Sequence, residues 1–254
     1  MLNYKITGKG PVLVLIHGFC EDLTLWESVH SFLLDYTILS IDLPGFGKSE
    51  VIENMSIFSM ADQVNVLLEK LGITKCTMIG HSLGGYVALH FAEIFATKLE
   101  GLGLFHSTAF EDSEEKKENR NKTFHFIEKH GVANFANSFV ATLFFPENRA
   151  LFEKKIQELS EVVKKTSKQA VLKTTLAMRD RKSQLDVLKT IDKPVLFIVG
   201  KEDQAVPMTK SLEQCFLPKD SIVHFYDKTA HMGMFEKEIE TNKALKNFMD
   251  YVNY

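Results

Sequence analysis

Residues 76–95 read CTMIGHSLGGYVALHFAEIF, and the order of events in them decides the fold. The apolar run Cys76 to Ile79 has the character of a buried strand. Gly80, His81, Ser82, Leu83 and Gly84 then spell GxSxG, and a segment with helical spacing runs on to Phe95. A strand that turns at once into a helix needs small residues two before and two after the central serine, because a side chain there would collide with the neighbouring strand or helix. Gly80 and Gly84 meet that need. A chain of this composition contains GxSxG by chance only about 0.04 times, before any demand on its flanks. The competing interpretation is a glycine-rich turn that only packs, or that binds a phosphate at the helix start.

Further apolar, β-branched runs occur at Val12 to Ile16, Thr37 to Ile41, Leu102 to Phe105, Val195 to Val199 and Ile222 to Tyr226. Helically spaced segments separate most of them: Leu25 to Leu34, Ile57 to Leu71, Met208 to Phe216 and Ile239 to Tyr251. Such alternation predicts an α/β fold with a mostly parallel sheet covered on both faces. Leu2 to Thr7 and the Gly8 to Pro11 turn predict an antiparallel edge hairpin leading into the first parallel strand. The pattern stops between about Ser107 and Thr190, where one glycine, Gly131, and one proline, Pro146, occur and apolar residues keep helical spacing. We therefore expect a core of residues 1–106 and 186–254, with an inserted helical subdomain at 107–185. Its charge-dense stretch, Glu111 to Lys122, reads as a solvated helical face or hinge without chemistry of its own.

A serine hydroxyl needs a general base, and the base needs an acid to orient it. Asp203 directly follows the strand Val195 to Val199, and His231 follows the last strand in Thr229, Ala230, His231, Met232, Gly233. The order Ser82, Asp203, His231 matches the acid and base that follow a GxSxG serine at later strand ends. Glu202 competes as the acid, one residue earlier. Asp42 also ends a strand, but it enters the turn Pro44, Gly45, Phe46, Gly47 and reads as a loop brace. Of the other histidines, His17 reads as a packing or loop-bracing residue, and His30, His90, His125 and His130 as helix residues. For an oxyanion hole the amide of Leu83 follows from the turn itself, and the amide of Phe19 is expected from His17, Gly18, Phe19 after the first parallel strand. Cys20, Phe144, Phe145 and Met232 are candidates for the pocket wall, as are Phe124, Phe126, Phe135 and Phe139, although these rings suit a helical core equally well.

Two other patterns fail. Gly45, Phe46, Gly47, Lys48, Ser49 lacks the first glycine of a P-loop, and Gly8, Lys9, Gly10 lacks the third glycine of a dinucleotide fingerprint and precedes its strand.

Composition bounds the remainder. The 254 residues are 45% hydrophobic and 25% charged, which suits a globular chain and excludes disorder. Thirty Lys and Arg against thirty-three Asp and Glu give a charge of −3, without the positive excess that nucleic acid demands. Cys20, Cys76 and Cys215 are far apart with no CxxC pair, so reduced thiols and a cytoplasmic protein are expected. No apolar run suggests a signal peptide or membrane span, and no repeat or low-complexity tract is visible.

The motifs HGF at 17–19, DLPGFGKS at 42–49, GHSLGG at 80–85, KPVLFIVGKED at 193–203 and AHMGMFE at 230–236, in this order, resemble the α/β-hydrolase superfamily. Esterase-like and enol-lactonase-like members of its serine branch look most similar. Related dehalogenases and epoxide hydrolases carry an aspartate where Ser82 stands. The resemblance implies that 107–185 is a helical lid, and that Ser82, Asp203 and His231 hydrolyse a small carboxylic ester or lactone without metal or organic cofactor. A carbon–carbon bond hydrolase or lyase using the same triad, and a ligand receptor on the same fold, remain the alternatives.

Overall fold

The structure, a computed structural model, describes residues 1–253. Seven strands form one sheet: β1 (Tyr4–Thr7), β2 (Val12–Ile16), β3 (Thr37–Ile41), β4 (Cys76–His81), β5 (Leu99–Phe105), β6 (Val195–Gly200) and β7 (Ser221–Tyr226). Their spatial order is β1-β3-β2-β4-β5-β6-β7, and only the β1 pair is antiparallel. Every residue of β4 and β6 is buried, so apolar cover is needed on both faces, which explains continuous apolar runs in place of alternation.

The expected edge hairpin is not formed. β1 pairs antiparallel with β3, while β2 lies between β3 and β4. Four of the five residues of β2 are fully enclosed, so it gains a partner on each side, and the short, half-exposed β1 is left to close the edge. The connection crosses the start of β3 at very short range. A Cβ on Gly8 would stand 2.0 Å from the Tyr36 carbonyl oxygen and one on Gly10 2.4 Å from that of Asp35, and both glycines have positive φ.

Helices α1 (Glu27–Phe32), α2 (Ile57–Lys70) and α3 (Leu83–Phe95) connect the first strands. α2 begins at a reciprocal cap between Ser56 and Ser59. Between β5 and β6 lie α4 (Glu114–Phe139), α5 (Glu153–Lys165), α6 (Lys168–Asp180) and α7 (Leu185–Thr190); α8 (Met208–Gln214), α9 (Gly233–Glu236) and α10 (Glu238–Asn253) complete the chain. α4 is broken at Gly131, whose φ of 81° and ψ of 165° suit glycine alone. Val132 and Phe135 after the break are buried, and Phe152, Ile156 and Leu159 pack on the same core. Among the described residues no helix is long and apolar enough to cross a membrane.

Candidate active site

Ser82 stands between β4 and α3 with φ 50° and ψ −112°, a conformation that only a tightly enforced turn would impose on a side-chain-bearing residue. The enforcement is visible around it. A Cβ on Gly80 would come within 2.1 Å of the Gly84 backbone, and one on Gly84 within 2.4 Å of the Ile16 carbonyl oxygen. Ser82 N–H donates to the Phe105 carbonyl at 2.9 Å, and the Ser107 hydroxyl donates to the Ser82 carbonyl at 2.7 Å. Leu83 opens α3, so its amide is one of the four that a helix start leaves without an intrahelical acceptor.

Across from the turn, the loop after β2 is held by side chains. His17 accepts the Leu43 N–H at Nε2 (2.9 Å), which leaves Nδ1 to donate to the Gly18 carbonyl (2.7 Å). Its role is bracing, as expected. Asp42 braces too, accepting the Leu23 and Lys48 amides and the Asn3 side chain.

Asp203, just beyond β6, accepts the Ala205 and Val206 amides on Oδ1 at 2.8 and 3.0 Å. Its Oδ2 lies 2.7 Å from Nδ1 of His231. A carboxylate only accepts, so Nδ1 carries the proton and Nε2 is left as a base. Burial tends to raise the Asp203 carboxyl, but the His231 imidazole and its hydrogen bond, followed by His106 and the Val206 amide, hold it below the usual range. Glu202 points elsewhere: its Oε2 accepts the Thr229 N–H at 2.9 Å. Geometry thus separates the two acids that sequence left side by side.

The backbone of His231 is fixed at both ends, its N–H donating to the Leu143 carbonyl at 2.8 Å and its carbonyl lying 2.9 Å from Nε2 of His81. Here sequence reasoning missed three buried residues, Glu21, His81 and His106. Nδ1 of His81 faces Oε2 of Glu21 at 2.9 Å, and the same oxygen accepts the Gly18 N–H at 2.6 Å. Burial works against charge on His81, but the Glu21 carboxylate outweighs it and the imidazole is held above its ordinary range. Glu21 correspondingly titrates low despite its burial. This pair joins the Phe19 loop to the His231 loop. His106, with φ 47°, follows β5; its Nε2 lies 3.1 Å from the Gly233 amide and its Nδ1 3.5 Å from Oδ2 of Asp203. Burial pushes it well below its ordinary value, so it stands neutral beside the acid. The only sequence signal for these residues was position: the elbow, the loop after β2 and a strand end.

Ser82 and His231 line one cavity of about 250 Å³, with Phe19, Tyr86, Phe135, Phe139, Leu143 and Met178 among its walls. The other expected wall residues are placed differently. Phe144 is fully buried, its ring 5.8 Å from that of Phe152 and 6.4 Å from that of Phe235. Phe145 donates its N–H to Glu236. Cys20 and Met232 are buried outside the lining, and burial, then Glu21, raises the Cys20 thiol far above its usual range. Thr123 lines the cavity, whereas Phe124 and Phe126 do not. A larger cleft of about 530 Å³ beside loop 45–51 holds no histidine in its wall and hence no serine–histidine pair.

Fold and site together are those of the α/β-hydrolase fold, with a serine at the sharp turn between β4 and α3. The chain matches the α/β-hydrolase fold family over residues 11–238 and belongs to that family. It is similar to a thermophilic esterase from Thermogutta terrifontis, solved with malate bound, at a TM-score of 0.94 and 27% identity, covering 100% of this chain and 94% of that one. An enol-lactonase from Burkholderia xenovorans LB400 shares the fold at a TM-score of 0.91 and 21% identity over 98% and 96% of the two chains. In sequence, a 2-hydroxy-6-oxo-6-phenylhexa-2,4-dienoate hydrolase of Comamonas testosteroni is 23% identical over 98% of this chain and 91% of its own. Other curated relatives, 38% identical over 101 residues, are matched over only 30% of their length. Hydrolytic function is thereby supported at the level of the family.

Proposed function

We propose that this protein is a serine hydrolase that cleaves a small carboxylic ester or lactone through an acyl-enzyme. The observation that carries this reading is the 2.7 Å contact between Asp203 and His231 beside a cavity that Ser82 also lines. Ser82 Oγ attacks the acyl carbonyl while Nε2 of His231 takes its proton, and Asp203 holds the imidazole in the required tautomer and balances its charge. The Leu83 and Phe19 amides receive the developing oxyanion, each such donor being worth roughly 10²–10³ in kcat. His231 returns the proton to the leaving alcohol, then activates water to release the acid and restore Ser82.

Helices α4 to α6 act in this reading as a lid on residues 107–185, with Phe135 and Phe139 walling the acyl site. Three free, buried cysteines suit a reducing compartment, the cytoplasm.

Fluorophosphonate labelling with peptide mapping, followed by an ester and lactone panel, tests the reading. Labelling at Ser82 that disappears in Ser82→Ala, together with ester turnover, supports it. Ester turnover unchanged in Ser82→Ala defeats it. The whole-length similarity to the Comamonas hydrolase favours carbon–carbon bond hydrolysis as a second reading; turnover of that enzyme's named dienoate, with esters inert, would select it. Labelling without turnover of any panel member would point to a receptor.

A further inference from the structure

The first half of α4 turns a polar face toward Ser82. Lys116, Asn119, Arg120 and Thr123 all line the cavity, at the spacing of one helical stripe. The same charge-dense stretch reads in sequence as a solvated face. Past the break at Gly131 the helix supplies Phe135 and Phe139, whose rings stack at 4.6 Å and meet Phe19 at 6.3 and 6.0 Å. One wall is therefore aromatic and the other cationic. Lys116 and Arg120 are the lysine and arginine of this lining, and no carboxylate belongs to it.

The carboxylate behind that wall does not balance the charge. Asp112 is buried and meets three cations: Arg181 NH1 at 2.8 Å, Arg120 Nε at 3.1 Å and Lys116 Nζ at 4.0 Å. Within this cluster three cations share one carboxylate; Glu111 and Glu115 line a neighbouring cleft with Lys116 and Arg181, outside the Ser82 cavity, and form no ion pair with the three among the described residues. Asp112 engages Arg120 through Nε alone, so the terminal nitrogens of the guanidinium fork have no partner among the described residues. Lys116 spends one hydrogen bond on the Ala205 carbonyl at 2.8 Å, two residues beyond Asp203. Both side chains are only partly exposed beside an apolar wall, where solvent screens a charge less than on an open surface.

We infer that the Ser82 cavity takes a substrate bearing its own carboxylate, which Arg120 and Lys116 hold while the apolar chain between carboxylate and reacting carbonyl lies on Phe19, Phe135 and Phe139. A planar fork with free terminal donors suits a carboxylate, and an ammonium beside it adds charge at a second angle. A neutral ester of equal length places a methyl group against those cations. The inference rests on the hydrolase reading and narrows it to acidic acyl compounds.

Ethyl half-esters of dicarboxylic acids of about four to eight carbons, compared with ethyl alkanoates of equal length, test it. kcat/KM is measured for each pair and, for any ester that is not turned over, its protection of Ser82 against fluorophosphonate labelling. At the best chain length the half-ester should lead by roughly tenfold or more, a lead that added salt reduces. Arg120→Met and Lys116→Met should each cut the lead, and Arg120→Lys should keep part of it. Thermal midpoints accompany the variants; should Arg120→Met fail to fold, the wild-type ratio and Lys116→Met still decide. A wild-type ratio near one overturns the inference, as does an Arg120→Met variant that loses both ester types equally. Absence of Ser82 labelling would defeat the hydrolase reading itself, whereas labelling without carboxylate discrimination defeats this inference alone.

Discussion

Nδ1 of His81, the residue before Ser82, lies 2.9 Å from Oε2 of Glu21, and both side chains are buried. The imidazole titrates above its ordinary 6.5 and the carboxyl below its ordinary 4.5. A raised histidine stabilises the fold fully below its unfolded value and loses that contribution as pH rises through its folded value. A lowered carboxyl stabilises above its unfolded value and loses that contribution as pH falls through its folded value. The pair is therefore most effective between pH 4.5 and 6.5. Glu21→Gln should cost about 3–5 kcal/mol there, as removal of one partner from a buried pair does. The gap in thermal midpoint between wild type and Glu21→Gln should narrow toward both pH extremes; a gap independent of pH would mean that His81 is not charged in the fold.

Asp203→Asn should preserve the fold and lower kcat by a factor on the order of 10⁴, by analogy with the serine-protease triad, because an amide presents the wrong partner to Nδ1 of His231. Glu202→Gln should do much less, since Glu202 meets the Thr229 amide. Steady-state kinetics on both variants check the assignment, and a crippled Glu202→Gln beside an active Asp203→Asn would reverse it.

Phe139→Ala and Phe144→Ala should separate cavity wall from core. Phe144 is fully enclosed, so its loss should lower stability by about 3–5 kcal/mol and leave the acyl-length profile unaltered. Phe139 lines the cavity, and its loss should shift kcat/KM between short and long acyl chains by about 1–3 kcal/mol with little change in thermal midpoint. Equal loss across all chain lengths in Phe139→Ala would assign that ring to packing.

Gly84→Ala should destabilise the protein by about 1–3 kcal/mol or more, because the new methyl group would stand 2.4 Å from the Ile16 carbonyl oxygen, a backbone atom at the end of β2, a strand paired on both sides. Relief requires β2 or α3 to move, so Ser82 labelling should slow alongside the fall in thermal midpoint. Wild-type stability would show that the turn is looser than its geometry.

The strand runs at 12–16, 37–41, 76–79 and 195–199 and the GxSxG turn were legible in sequence because their determinants are local: apolar burial on two faces for the strands, and side-chain volume at Gly80 and Gly84 for the turn. The chain order of Ser82, Asp203 and His231 was equally readable. Only the tertiary structure decided matters that depend on residues far apart in the chain. Sequence left Glu202 beside Asp203, and the position of Thr229 and His231 separates them. An amino-terminal hairpin was expected, yet β1 sits on β3, since strand pairing is settled by the burial of β2 on both edges. Phe144 and Phe139 share the same composition-level signature, and only tertiary packing tells them apart: Phe144 is enclosed against Phe152 and Phe235, whereas Phe139 lines the cavity with Ser82. Glu21, His81 and His106 escaped notice for the same reason: a buried ionisable group is defined by partners 60 or more residues away, and neither spacing nor periodicity carries that information.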